Sequence, residues 1–220
     1  MDNEATTFAE MRQDMVARQL AGRGIDDTAV LQAFLTVPRE LFVPREYRHN
    51  AYDDTPLPIP NKQTISQPYV VAYMFSLLQL QPTDRVLEIG TGSGYAAALL
   101  SQIVADVYTV ERHQNLVEYA RKRLAYLHYN NVHVHHGDGT VGWAAHAPYN
   151  SIIVAAGAPT VPPTLKTQLA IGGRLVIPVG RKHQEQWLIY IERHSETLFE
   201  EQTRSPVAFV PLIGEEGWES

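Results

Sequence analysis

The residues most able to do chemistry in this chain are acids and glycines at the ends of apolar runs. Glu88 lies near the end of the run Val86 to Ile89 and is followed by Gly90, Thr91, Gly92 and Gly94, after which an alanine-rich segment begins at Tyr95. This order reads as a buried strand, a tight turn and a helix start. Glycines there permit positive φ and let a ligand lie directly on the backbone, and the unpaired amides of a helix start favour a negative group such as a carboxylate. Glu111 closes the next apolar run, Val107 to Val110, and Asp138 sits between Gly137 and Gly139 just after Val132 to His136. Ser66, within TISQP at 64–68, stands where a loop gives way to a helix. Its spacing ahead of Pro68 favours an N-cap over a catalytic hydroxyl.

The elements that must position these groups follow from the apolar periods. Phe8, Met11, Met15, Val16 and Leu20 predict a helix that Gly22 and Gly24 end, and Asp26 is the expected cap of a second helix carrying Val30, Leu31 and Phe34. Pro38, Pro44, Pro56, Pro58 and Pro60 break regular structure, so 38–60 is expected to be an ordered, irregular covering segment with at most short helical turns, facing a ligand. Ser66, Gln67 and Pro68 introduce a largely buried helix ending near Leu80. Strand and helix signals then alternate: the strand at Val86, a helix over Tyr95–Val104, a strand over Val107–Val110, and a helix with Leu116, Ala120, Leu124 and Leu127 on one face. Strands over Val132–His136 and Ser151–Ala155, a short helix over Thr164–Leu169 and a fifth strand in Gly172–Gly180 follow. Gln186–Arg193 and Val207–Leu212 are expected to complete the sheet by antiparallel pairing. Such alternation gives a doubly wound α/β sheet with an antiparallel edge. The chain is expected to form one domain over 1–220, with helices and a lid in 1–80 and the core and C-terminal strands in 81–220.

Ligands of such sheets sit beyond the carboxyl ends of the strands, where Glu88, Glu111 and Asp138 fall. Gly92, Gly94 and Ala97 fit the GxGxx(G/A) form of a dinucleotide site, but that match alone is weak. An acid directly before GxGxG instead resembles the pattern of S-adenosylmethionine (AdoMet) methyltransferases. A carboxylate at Glu111 is well placed to accept hydrogen bonds from both ribose hydroxyls, each contributing about 1.5–3 kcal/mol. Asp138 can accept from an adenine amino group while the Gly139 amide donates to a ring nitrogen. Glu88 is expected to position the glycine turn or to meet the ligand's ammonium end. A lone carboxylate in a loop is most often simply solvated, but three at successive strand ends reverse that reading. The same acids disfavour NADP, whose 2′-phosphate Glu111 would repel; NAD would be tolerated there, but the chain has no evident second nucleotide-binding half.

Composition narrows the classes further. A net charge of −6 with no basic patch argues against a nucleic-acid or anionic-membrane partner. With no cysteine, thiolate nucleophiles, disulfides and Cys-ligated metals are excluded. His133, His135 and His136 resemble a metal cluster, but strand alternation puts His135 and His136 on opposite faces, so no metal site is expected. The opening MDNEATTFAEM has no basic and apolar leader pattern, and no run is long enough to span a bilayer, so a soluble, cytoplasmic protein is expected.

TISQP at 64–68, LEIGTGSGY at 87–95, VER at 110–112, GDG at 137–139, APY at 147–149, GGRLVIPVG at 172–180 and FVPLIGEEGW at 209–218 together resemble the protein-L-isoaspartate O-methyltransferase family. The resemblance spans nearly the whole chain, in order. It implies the Rossmann-like, mostly parallel seven-stranded sheet of class I methyltransferases with an N-terminal helical annex. It also implies methyl transfer from AdoMet to the side-arm carboxylate of L-isoaspartyl residues in damaged proteins and peptides, leaving S-adenosyl-L-homocysteine and an ester that closes to a succinimide. By the family pattern Ser66 is the active-site serine. Glu88, Gly90, Thr91, Gly92, Gly94, Glu111, Asp138 and Gly139 hold the cofactor, and Phe209 to Leu212 help hold the substrate backbone. A monomer is expected. Two positions depart from the pattern: Lys62 stands where the family usually has glycine, and Asn150 where aspartate is common. Rival readings are a carboxyl methyltransferase for aspartate of a dedicated peptide, a non-catalytic AdoMet-binding adaptor and an NAD-dependent oxidoreductase.

Overall fold

The computed structural model describes residues 2–181 and 185–219. Helix α1, Asp2–Asp14, runs on as a π-helical turn, Met15–Leu20, and a 3-10 turn, Ala21–Arg23. The wider π winding brings residues five apart onto one face, and Met15 and Leu20 are both fully buried there. Helix α2, Thr28–Thr36, is capped by Asp27 rather than by the expected Asp26. Asp27 Oδ1 accepts from the amides of Ala29 at 2.9 Å and Val30 at 3.1 Å. These are the second and third amides of the helix, which a cap must reach, and Asp26 stands one residue too early.

The segment that follows carries 3-10 turns at Arg39–Leu41, Arg45–Asn50 and Pro60–Lys62, and also an unexpected hairpin of β1, Leu57–Ile59, with β2, Gln63–Ile65. Prolines are tolerated in it because β1 pairs on one side only, with β2. The connection holds Asn61 and Lys62 at φ +63° and +56°. Lys62 therefore occupies a left-handed position, which gives a physical reason for a glycine preference there. Asn61 and Asn115 exchange side-chain amide hydrogen bonds at 2.7 and 2.6 Å, pinning the hairpin tip to the start of the α5 helix described below. Helix α3, Pro68–Leu78, begins on Pro68, preceded by Gln67 with no side-chain cap, so Ser66 is not the cap its spacing favours.

From there the chain alternates: β3 (Arg85–Ile89), α4 (Tyr95–Leu100), β4 (Asp106–Glu111), α5 (Gln114–Tyr126), β5 (Val132–His136), β6 (Tyr149–Val154), α6 (Pro163–Thr167), β7 (Leu169–Gly180), β8 (Gln186–Arg193) and β9 (Phe199–Val207). The seven-stranded sheet has the order β5-β4-β3-β6-β7-β8-β9, parallel from β5 to β7 and antiparallel for the last two pairings. Strand alternation divides the core between its faces. Val86, Val107, Ile153 and Val176 join the helical layer of α2 to α5, and Leu87, Tyr108, Ile152 and Leu175 the opposite layer. Among the described residues no helix is long and apolar enough to cross a membrane.

Several boundaries depart from the sequence reading, each for a visible reason. Helix α4 stops at Leu100 rather than Val104 because the winding tightens there, the Gln102 amide donating to Leu99 at 3.1 Å and the Ile103 amide to Leu100 at 2.9 Å, each three residues back. Ser101 Oγ donates to Ala98 at 2.7 Å, and Asn131 Nδ2 donates to Ser101, Val104 and Ala105 at 3.1 to 3.2 Å. The last strand is Phe199–Val207, not Val207–Leu212. Its sequence is largely polar because it forms the outer edge of the sheet. The apolar residues beyond it leave the sheet and bridge to Gly157, whose amide donates to Val210 and whose carbonyl accepts from Leu212, both at 2.8 Å. Residues 214–218 then clasp the fold: the Glu215 amide donates to Asp138 at 2.7 Å, Glu216 accepts from the Thr164 amide at 3.0 Å, and Trp218 Nε1 donates to Gly157 at 3.0 Å. Asn150, in place of aspartate, still accepts from the Arg85 amide at 2.8 Å through its Oδ1, the bond an aspartate would make.

Lys62→Gly is expected to raise the unfolding free energy by roughly 0.5–1 kcal/mol, because left-handed strain of about 1–2 kcal/mol outweighs the greater freedom glycine gives the unfolded chain. Urea unfolding of the two proteins measures it, and a destabilised variant would show that the lysine is not strained.

Candidate active site

The register of the sheet assembles the site. Glu88 pairs with Thr109, Ile89 with Val110, and Glu111 with His136, so the carboxyl ends of β3, β4 and β5 lie side by side. The glycine turn rises from β3 with Gly90, Gly92 and Gly94 all at positive φ. At Gly92 an added Cβ would lie 3.3 Å from Ile59 of the hairpin, so the lid closes directly on this bend.

Glu111 is 6% exposed and ties the turn to the next strand. Its Oε2 accepts from the Gly92 amide at 3.0 Å and its Oε1 from the His113 amide at 2.9 Å. Each oxygen keeps a further lone pair for a ligand. Glu88 is 1% exposed, and its Oε2 accepts from the Thr109 hydroxyl. Thr91 and Thr109 hydroxyls are 2.6 Å apart. The chain of hydroxyls from Thr91 through Thr109 to Glu88 fixes the turn from beneath. Among the described residues Glu88 Oε1 is buried with no partner. Burial pushes the Glu88 carboxyl up to about 8, the charge of Glu111 adds to the rise, and the Thr109 hydrogen bond opposes it. A ligand cation at Glu88 Oε1 would supply the interaction that atom lacks.

Asp138 occupies a different position from the other two acids. Its Oδ1 accepts from the Thr140 amide at 2.8 Å and hydroxyl at 2.7 Å, and its Oδ2 from the Glu215 amide at 2.7 Å. Burial, which alone would raise its pKa, is outweighed by these hydrogen bonds, and the carboxyl titrates below the usual aspartate range. Gly139, rather than Asp138, lines the cleft itself. Any side chain at Gly139 would collide with Ile89, whose Cγ2 lies 2.3 Å from an added Cβ.

Ser66 sits where two concavities meet. The first is bounded by the glycine turn, Glu88, Glu111 and Gly139; the second by Arg23, Tyr69, Tyr73 and Pro206. Thr64, Ser66, Ala155, Phe209 and Val210 border both. Among the described residues the Ser66 hydroxyl has no hydrogen-bond partner, and its carbonyl accepts from Arg39 at 2.8 Å. The loop after it is held by Asp54, which accepts from the Tyr69 amide at 2.9 Å, from Gln67 Nε2 at 3.2 Å and from Arg23. His135 stacks on Trp143 with ring centroids 4.6 Å apart, whereas His136 Nε2 pairs with the Arg112 carbonyl at 3.0 Å. Among the described residues no three His, Asp or Glu side chains converge as metal ligands. Sequence reasoning missed Thr109, Arg39 and Asp54. Thr109 alone left a trace, as a polar residue inside an apolar strand run.

A doubly wound sheet of this order, with a glycine turn after its first parallel strand and acids at successive strand tips, defines a class I methyltransferase. A solved protein-L-isoaspartate O-methyltransferase matches 94% of this chain and 67% of its own, with TM-score 0.83 and 30% identity. A putative one from Plasmodium falciparum, solved with S-adenosyl-L-homocysteine, shares the fold at TM-score 0.76 and 23% identity, over 94% of this chain and 98% of its own. The family model "Protein-L-isoaspartate(D-aspartate) O-methyltransferase" matches residues 10–217, and the chain belongs to that family. Protein-L-isoaspartate O-methyltransferase 2 of Pelobacter propionicus is 58% identical over 94% of this chain and 92% of its own length. The enzyme numbered 1 from Rhodopseudomonas palustris strain HaA2 is 53% identical over 100% and 90%.

The folded protein holds the Glu88 proton to about pH 8 while the unfolded chain releases it near 4.5. Between those values the folded state binds more protons, so this group lowers stability as pH rises through the window. Glu88→Gln is expected to flatten the decline between pH 5 and 8 in ligand-free protein. Parallel urea titrations check this, and equal slopes in both proteins would rule out the buried, proton-holding carboxyl.

Proposed function

We propose that this chain transfers the methyl group of S-adenosyl-L-methionine to the side-arm carboxylate of L-isoaspartyl residues in damaged proteins and peptides. The ester formed would close to a succinimide and so begin repair. The observation that carries the reading is the Ser66 hydroxyl, unpartnered among the described residues, at the junction of an acid-lined cleft and a second groove, in a chain of this family. The cleft fits the donor chemically. Glu88 Oε1 is an orphaned buried oxygen suited to an ammonium, Glu111 keeps lone pairs for ribose hydroxyls, and Gly90, Thr91, Gly92 and Gly94 allow close backbone approach. Asp138 has one lone pair left for an adenine amino group, and the Gly139 amide is the matching donor.

The bound donor would supply a methyl group on an electrophilic sulfonium. The protein's own contribution is then placement. An isoaspartyl carboxylate is ionised near neutral pH, so it needs no base. The residues bordering both concavities, Thr64, Ser66, Ala155, Phe209 and Val210, offer none. Ser66 donates a hydrogen bond that aims one carboxylate oxygen, and the hairpin over Gly92 keeps water out. Phe209 to Leu212 lie extended beside the junction. Gln186 holds both backbone groups of Phe209, and Gly157 engages Val210 and Leu212, leaving the Val210 amide outside these pairings for a substrate backbone. The working form is a cytoplasmic monomer acting on protein, with neither nucleic acid nor membrane as partner.

Labelled AdoMet offered with paired isoaspartyl and aspartyl peptides tests the reading: transfer to the isoaspartyl form alone is expected. Transfer to the aspartyl peptide favours a dedicated aspartate enzyme, AdoMet binding without transfer an adaptor, and no AdoMet binding an oxidoreductase. Ser66→Ala is expected to lower kcat by about 10- to 100-fold with AdoMet affinity nearly intact. A large loss of affinity at unchanged turnover would contradict the role given to Ser66.

A further inference from the structure

Arg39 is fully buried, and among the described residues no carboxylate lies within ion-pair distance of it. Instead its guanidinium touches three parts of the molecule at once. Its Nε donates to the Ala51 carbonyl of the covering segment at 2.7 Å, and its Nη2 donates to the Ser66 carbonyl at 2.8 Å. Its central carbon stands 4.8 Å from the centroid of Tyr95, the first residue of α4 after the glycine turn. Its Nη1 and the Tyr95 hydroxyl are both buried and, among the described residues, neither has a partner at full hydrogen-bond geometry, although the two side chains interact with each other. Desolvating a cation costs several kcal/mol. A fold that needed only to tie two carbonyls together could use a neutral amide. What guanidinium adds is a rigid planar fork whose donors diverge at a fixed angle while its face rests on an aromatic ring.

Ser66 depends on such a hold because, among the described residues, its own hydroxyl has no partner. Asp54 fixes the chain just after it, through the Tyr69 amide and Gln67. Arg39 fixes Ser66 itself, from the buried side, and rests on the residue that begins the helix beneath the cofactor turn. A buried connection therefore joins the acceptor side of the site to the donor side, running from the Ser66 carbonyl through Arg39 to Tyr95.

We propose that Arg39 is a positioning residue for methyl transfer: it sets the height of Ser66 over the glycine turn and so keeps the acceptor carboxylate in line with the donor. The proposal rests on the functional reading above and adds to it a residue that touches neither substrate nor donor.

A double-mutant cycle separates this from mere support of the fold. Arg39→Lys keeps the charge but loses the fork, and should lower kcat for an isoaspartyl peptide by about tenfold or more, with S-adenosyl-L-homocysteine affinity within about threefold. In a Ser66→Ala background, where no hydroxyl remains to misplace, the same change should cost less than about twofold. Equal losses in the two backgrounds, an unchanged kcat, or a loss that tracks ligand affinity would overturn the proposal. Should Arg39→Lys fail to fold, Arg39→Gln carries the same cycle, and failure of both means the role is structural and the proposal falls. A wild-type protein that binds the ligand but methylates no isoaspartyl peptide overturns the functional reading and this proposal with it, whereas additive losses in an active enzyme overturn this proposal alone.

Discussion

Two carboxylates at the tips of adjacent parallel strands set the terms for the rest of this structure. Glu88 and Glu111 are both nearly inaccessible to solvent; burial raises the pKa of Glu88, and the nearby charge of Glu111 adds to the rise. The fold resolves the conflict by treating them differently. Glu111 is given two backbone amides and stays a hydrogen-bond acceptor, whereas Glu88 is given one hydroxyl and holds a proton. The glycine turn is suspended between them, bonded to Glu111 through Gly92 and to Glu88 through the threonine relay. Its shape and its electrostatics are therefore one property. A cation arriving at Glu88 changes both.

The acid-lined cleft is built by the sheet, but Ser66 at its border belongs to the N-terminal third. Ser66 is held by Arg39 and its neighbours by Asp54, both from the segment that covers the cleft. The hairpin tip is latched to the start of α5 by the paired amides of Asn61 and Asn115. Cover and acceptor site thus move together or not at all. In a reaction that needs no proton transfer, alignment of this kind is the main thing a protein can supply.

Much of this was legible in the sequence because it rests on local rules. The alternation of apolar runs gave five parallel strands and the antiparallel pairing of β8, and the acids at the tips of β3 and β4 stood out as polar residues ending apolar runs. What escaped depends on contacts between distant segments. Arg39 lies among prolines where no period exists, and nothing near it in sequence reveals that it reaches Ser66. The edge strand was missed because its outer position tolerates Glu200, Glu201 and Arg204, which erase the apolar alternation, while the apolar FVPL residues look like a strand but wall the junction instead. Asp138 sits where the GDG pattern placed it, beside the cleft, yet its oxygens are largely engaged by Thr140 and Glu215, an engagement no local pattern encodes.

The clasp formed by residues 214–218 has a consequence for the order of events in synthesis. The wall from Phe209 to Ile213 is fixed to the sheet only through Gln186, Gly157 and this clasp, and Asp138 receives the Glu215 amide from nearly eighty residues downstream. A chain made from its N-terminus can pair its first strands early, but this wall can close only once residues 214–218 have been added, so it is among the last parts of the fold to form.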